Sequence, residues 1–204
     1  MATTISMVND VLRRLGKQRI TALDTGGTTT HAEIERVIVE TSKRLQTKAW
    51  MFNTIPTTEA VPNTTTKKIT VANLASVQIL HIDAIDDEPW NNYTQRSGFL
   101  YDIENATDLF TSTVNVQLIL ELPLSDLPEA FAQYVVSSSA QSFNRNFIGN
   151  SQRDAHLRDE TQNAQTVVNS EEIRSTDVNL LDGSETSSIL GRPAYKYLQG
   201  INNA

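Results

Sequence analysis

Apolar and polar positions alternate in three different rhythms along this chain, and the rhythms divide it. In the first fifty residues the period is helical. Val8, Val11, Leu12 and Leu15 fall at i, i+3, i+4 and i+7, which predicts an amphipathic helix, and Gly16 stands where such a helix ends. After a loop through Lys17–Thr29, Thr30-His31-Ala32-Glu33 reads as a capping box. Ile34, Val37, Ile38, Leu45 and Ala49 then share one helical face, so a second helix is expected from about Thr30 to about Trp50.

From Phe52 to Leu122 the period changes to two. NTIPTTEAV, KKITVAN, VQILHIDAI, GFLYDI and VNVQLILEL are each strand-length and rich in Thr, Val and Ile, and turn residues separate them. In the last run Val114, Val116, Leu118, Leu120 and Leu122 face one way, the mark of a half-buried strand.

Helical spacing returns at Leu127. Asp126 fits as N-cap, Pro128 is tolerated in a first turn, Glu129 completes the box, and Gly149 ends the segment. A polar helix follows over about Ser151–Ile173, with a thin stripe of Ala155, Ala164, Val167 and Val168. Beyond about Ser175 periodicity fades into an extended segment that still carries Ile189, Leu190, Tyr195, Tyr197 and Leu198.

The fold expected is α+β. An antiparallel bundle of about four helices (residues 1–51 and 123–175) receives an inserted small antiparallel β domain (52–122) and ends in a C-terminal arm (176–204).

The third helix is unusual in its middle. Ser137, Ser138, Ser139, Ala140 and Ser142 are small, while Phe131, Tyr134, Phe143 and Phe147 flank them. Small residues around a helix let neighbours approach from more than one side. One expectation is a helix packed inside its own subunit and also against an adjacent one, through Ser138, Ser139, Ser142, Phe131 and Tyr134. The alternative is a solvent-exposed serine face. Trp50 and Phe52, where the second helix meets the β segment, are expected to plug the domain junction; a ligand platform is the other use of such a pair.

Charge narrows the partners. The 204 residues carry a net charge of -7. Residues 1–52 sum to +3, 53–122 to -6 and 123–204 to -4. Gripping nucleic acid needs Lys and Arg at phosphates, so this balance argues against it. The absence of cysteine removes disulfides, thiolate metal sites and cysteine nucleophiles. The N-terminal residues do not read as a secretory signal, and no stretch reaches membrane-spanning length.

Candidate chemistry is thin. Asp24-Thr25-Gly26 matches the aspartic-protease triplet, but it lies between helical patterns instead of on a strand. His31 and Glu35 form an i, i+4 pair with metal-like spacing, which is common on exposed helices. The acidic run Asp83, Asp86, Asp87 and Glu88 lacks the spacing of a calcium loop. Neither a phosphate-binding glycine loop nor a serine elbow occurs, and no catalytic, cofactor or metal site is assigned. A pair of carboxylates for glycoside hydrolysis depends on the fold, which leaves a glycoside hydrolase of cell-surface sugar as an alternative function.

VNDVLRRLG (8–16), ITALD (20–24), AWMFN (49–53), LPEAFAQYVVSSSAQSFNRNFIGN (127–150) and NLLDG (179–183) stand in this order along the chain. Together they resemble the tail tubular protein A family of short-tailed bacteriophages, the head-to-tail adaptors. Ala49 stands where many relatives have Gly, and Lys17-Gln18-Arg19 where many have proline. The resemblance implies a non-enzymatic ring of twelve subunits beneath the portal protein, in the virion tail, assembled in the host cytoplasm. It implies that the bundle and the arm, with Leu190, Tyr195, Tyr197 and Leu198, engage the portal. The β domain would face the tail nozzle protein, and DNA would pass through the channel without specific binding. No cofactor and no membrane are implied.

Overall fold

The computed structural model describes residues 4–23, 30–85 and 93–176. Four α-helices and five strands follow in the order α1 (Thr4–Arg14), α2 (Thr30–Gln46), β1 (Thr54–Ala60), β2 (Ile79–Ala84), β3 (Tyr93–Arg96), β4 (Phe99–Asp102), β5 (Val114–Leu120), α3 (Glu129–Phe143) and α4 (Ser151–Thr176). The fold is α+β, as expected.

One hydrophobic core lies among the helices. Met7, Val8, Val11 and Leu12 of α1 and Ile34, Val37, Ile38 and Leu45 of α2 turn inward onto Phe131, Val135 and Ala140 of α3. These are the positions that the helical period places on one face. Gly16 adopts φ +66 and ends α1; an added Cβ there would stand 3.1 Å from Nη2 of Arg153. α2 stops at Gln46, four residues before the expected Trp50. Ala49 takes a left-handed φ of 56. The Trp50 indole then folds back and donates to the carbonyl of Leu45 at 2.8 Å, an orphan acceptor of the last turn.

A second core belongs to the β segment. β5 is the centre of an antiparallel sheet of order β1-β5-β2. Ile82 faces Leu118 and Ala84 faces Val116 across β2 and β5. Val116, Leu118 and Leu120 pack with Ile69, Leu100 and Phe110. β3 and β4 form a hairpin in which Arg96 pairs with Phe99. Ser97 (φ 50) and Gly98 (φ 83) make its two-residue turn, and positive φ at both matches the right-handed twist of the strands.

Two strand assignments need correction. KKITVAN contributes only a single bridge, Thr70 to Phe99. Lys67 at φ 58 breaks the extension, and Val71–Asn73 is a turn of 3₁₀-helix. YTQR (93–96) is a strand that the periodicity did not reveal.

The start of α3 also differs. Pro128 occupies the N-cap position, and no side chain caps the helix. A proline disfavours helical backbone in the residue before it. Leu127 is accordingly extended (ψ 138), and Asp126 is stranded in a separate 3₁₀ turn, Leu124–Asp126. At the other end, Asn144–Ile148 winds into one turn of π-helix, closed by Gly149 at φ 72. Asn150 then starts α4, accepting from the Arg153 amide at 3.0 Å. In α4 the buried residues are Leu157 and Val168, whereas Val167 is exposed, so the predicted stripe is displaced by part of a turn.

Candidate functional site

Two places could serve assembly: the small-residue helix and the junction between the cores. α3 runs through the middle of the bundle and packs against α1, α2 and α4. Ten of its fifteen residues are buried, Ser137, Ser138, Ser139 and Ala140 among them. The close approach that the serines permit is therefore made by helices of the same chain. Two of these hydroxyls are satisfied locally. Ser139 donates to the carbonyl of Val135 at 2.7 Å. Ser137 donates to Gln133 at 2.9 Å. This i−4 pairing removes the cost of burying a hydroxyl.

Phe131, Tyr134 and Ser139 are enclosed, so none of them offers an outer surface. The serine face is not the exposed one of the alternative reading either. Ser142 stays half-buried, and with Ser138 it borders a cleft of about 320 Å³ between α2, α3 and α4. Arg44, Lys48 and Arg145 stand around that cleft. Phe147, expected to flank the packed patch, is 54% exposed on the π-turn, stacked on Phe143 at 4.7 Å.

Three arginines fasten α4 to this centre, and no local pattern of residues marks them. The Arg14 guanidinium donates to Ser137 at 3.0 Å and to Gln133 at 3.3 Å, and it pairs with Glu160 at 3.2 Å. Burial lowers the Arg14 pKa, against the opposing pull of Glu160. Arg153 donates to the Leu15 carbonyl at 2.6 Å and so caps α1 from α4. Arg145 grips Asp154 with two bonds, at 2.8 and 3.0 Å. That hydrogen bonding raises the Arg145 pKa and lowers that of Asp154.

At the junction, Trp50 and Phe52 meet Phe131 at 5.5 and 4.8 Å between ring centres. Trp50 is buried in the helical core and Phe52 is packed against its edge. Polar groups complete the seam. Gln46 accepts from the Leu122 amide at 2.7 Å and donates to the Leu122 carbonyl at 3.1 Å, as a neighbouring strand would. Asn53 donates to Gln46 at 2.8 Å and to Leu120 at 2.9 Å. Two side-chain amides thus stitch α2 to β5.

Beside this junction, Glu171 and Glu172 border a groove. They are successive residues of one helix and do not face each other, as a carboxylate pair working on a sugar must. Of the acidic groups of the β segment, Asp102 is buried and accepts from Asn105, and Asp108 pairs with Lys68. Asp24, Asp86, Asp87 and Glu88 lie outside the described residues, as do Leu190, Tyr195, Tyr197 and Leu198.

The family model described as tail tubular protein fits residues 5–178, from α1 past the end of α4. The chain belongs to the tail tubular protein family. Tail tubular protein A of Klebsiella phage KP34 is 25% identical over 173 residues, which are 84% of this chain and 87% of that one. Family membership makes the chain a structural component of a phage tail. Among the described residues no helix is long and apolar enough to cross a membrane.

Proposed function

We propose that this protein is the ring-forming adaptor of a short-tailed phage, in which twelve copies join the portal to the tail nozzle and enclose the channel for genome exit. The observation that carries this reading is the family match, which spans both cores and all four helices. In this reading the bundle (1–51 and 123–175) and the arm (176–204) meet the portal, and the inserted β domain (52–122) meets the nozzle. DNA slides through without specific binding, in keeping with a net charge of -7. Neighbouring subunits meet at the cleft beside Ser138 and Ser142, where Arg44 and Lys48 offer positive charge to an acidic neighbour. Phe131, Tyr134 and Ser139 support that wall from inside, and Trp50 and Phe52 hold the β domain in line with it. The protein carries no catalytic step.

Mass in solution tests this, measured for the full chain alone and mixed with its portal. Twelve copies of the 22.7 kDa chain weigh about 272 kDa. Assembly of that size, alone or on the portal, supports the adaptor. A chain that stays at 22.7 kDa and ignores the portal overturns it.

A further inference from the structure

The turn between α3 and α4 stands at the pole of the bundle away from the β segment. Phe131, near the start of α3, meets Trp50 and Phe52 at the junction, and Phe143 lies about 18 Å further along the same helix. α4 brings the chain back. It begins at Ser151 and runs about 30 Å before Glu172 accepts from the Met51 amide at the junction. Residues 144–150 therefore lie at the end opposite the β segment.

This turn holds apolar groups out in water. Phe147 is 54% exposed and Ile148 36%. Among the described residues Phe147 is the one aromatic side chain that is exposed. It is not a loose end. Its ring stacks on Phe143, which is buried in the helical core. Asn144 donates to the Asn150 carbonyl at 2.9 Å, the Gly149 amide donates to the Asn144 carbonyl at 2.7 Å, and Arg145 grips Asp154. The turn is π-helical, a rare conformation that recurs at functional sites. A ring held this firmly loses little freedom when it docks.

Charge says what kind of surface receives it. The Lys17 ammonium stands 5.8 Å from the centre of the Phe143 ring. It pairs with no carboxylate among the described residues, whereas the Arg145 charge is met by Asp154. A complementary partner offers an apolar pocket with carboxylates at its edge. We infer that Phe147 and Ile148 are the anchor by which the bundle docks on the portal, in an apolar pocket with an acidic rim that Lys17 faces. The inference rests on the adaptor reading, in which the β segment meets the nozzle and the opposite pole meets the portal. A neighbouring copy in a ring meets the flank of the bundle, not its pole.

The test is the dissociation constant for the portal, measured with the full-length parent, Phe147→Ser, Lys17→Glu and Val61→Ser. Val61 is an exposed apolar residue of the β segment and serves as the control. Phe147→Ser should weaken binding about thirtyfold, as the loss of an aromatic anchor does. Lys17→Glu should weaken it about threefold, and the loss should shrink as salt is raised. Val61→Ser should bind as the parent does. Should Phe147→Ser not fold, Ile148→Ser reads the same contact. A parent that binds the portal, with Phe147→Ser and Lys17→Glu binding equally well, overturns the inference and leaves the adaptor reading standing. A parent that ignores the portal overturns both. If Phe147→Ser changes the mass of the protein without portal, the anchor packs against a neighbouring copy and the inference falls.

Discussion

α3 and α4 lie side by side and solve opposite problems. α3 has ten buried residues out of fifteen, and neighbours on three sides. α4 runs for 26 residues and buries Leu157 and Val168. A helix enclosed on all sides cannot show an apolar stripe, because it has no polar side. A helix held at two points cannot show one either, because two residues do not make a stripe. What distinguishes them is side-chain size. α3 is thin at its centre so that three helices can close on it, and α4 needs only anchors and charged ties.

This contrast is easiest to break at an anchor. Leu157→Ala should cost about 2–5 kcal/mol, read as a drop in denaturant midpoint, because little else buries α4. Val167→Ala, one step from the other anchor but exposed, should stay within about 0.5 kcal/mol. Enlarging the thin helix comes next. Ser139→Leu puts a large side chain where exposure is nil and should cost about 1–3 kcal/mol. The same substitution at the exposed Ser170 of α4 should be close to neutral. If the two serines respond alike, α3 is not the packed centre described.

Arg14→Ala removes a guanidinium that three partners share, and should cost about 1–2 kcal/mol in thermal unfolding. Ala49→Gly should raise stability by about 1 kcal/mol, since glycine adopts φ 56 without a Cβ penalty. The smallest effect is a pH dependence. The Arg145 hydrogen bond holds the Asp154 pKa below 3.8 in the folded chain. Its contribution is therefore present above about pH 4 and is lost as the pH falls through the lower folded value. Asp154→Asn should be slightly less stable than the parent at pH 7, and the gap should narrow as the pH is lowered below about 4, by unfolding scans across that range.

The legible parts of the fold were those with one buried face. Val8, Val11, Leu12 and Leu15 announced α1, and Val116, Leu118 and Leu120 announced β5. The serines of α3 announced close packing but not with what, since a small residue says that something approaches and never whose chain it is from. Asp126-x-x-Glu129 looked like a cap, yet the Leu127-Pro128 step separates it from the helix. Arg14 gave no signal because its partners are more than a hundred residues away. For the same reason the Gln46–Leu122 stitch was invisible, and only Trp50 and Phe52 marked the place.

That stitch has a consequence for ancestry. The chain enters the β segment through β1 and leaves it through β5, and these strands are neighbours, with Thr54 opposite Ile119. Entrance and exit therefore stand one strand spacing apart, and a replacement module need only present two ends at that separation. A lineage can therefore exchange this β segment for another with two such ends and leave the helices, with their serines and arginines, in place.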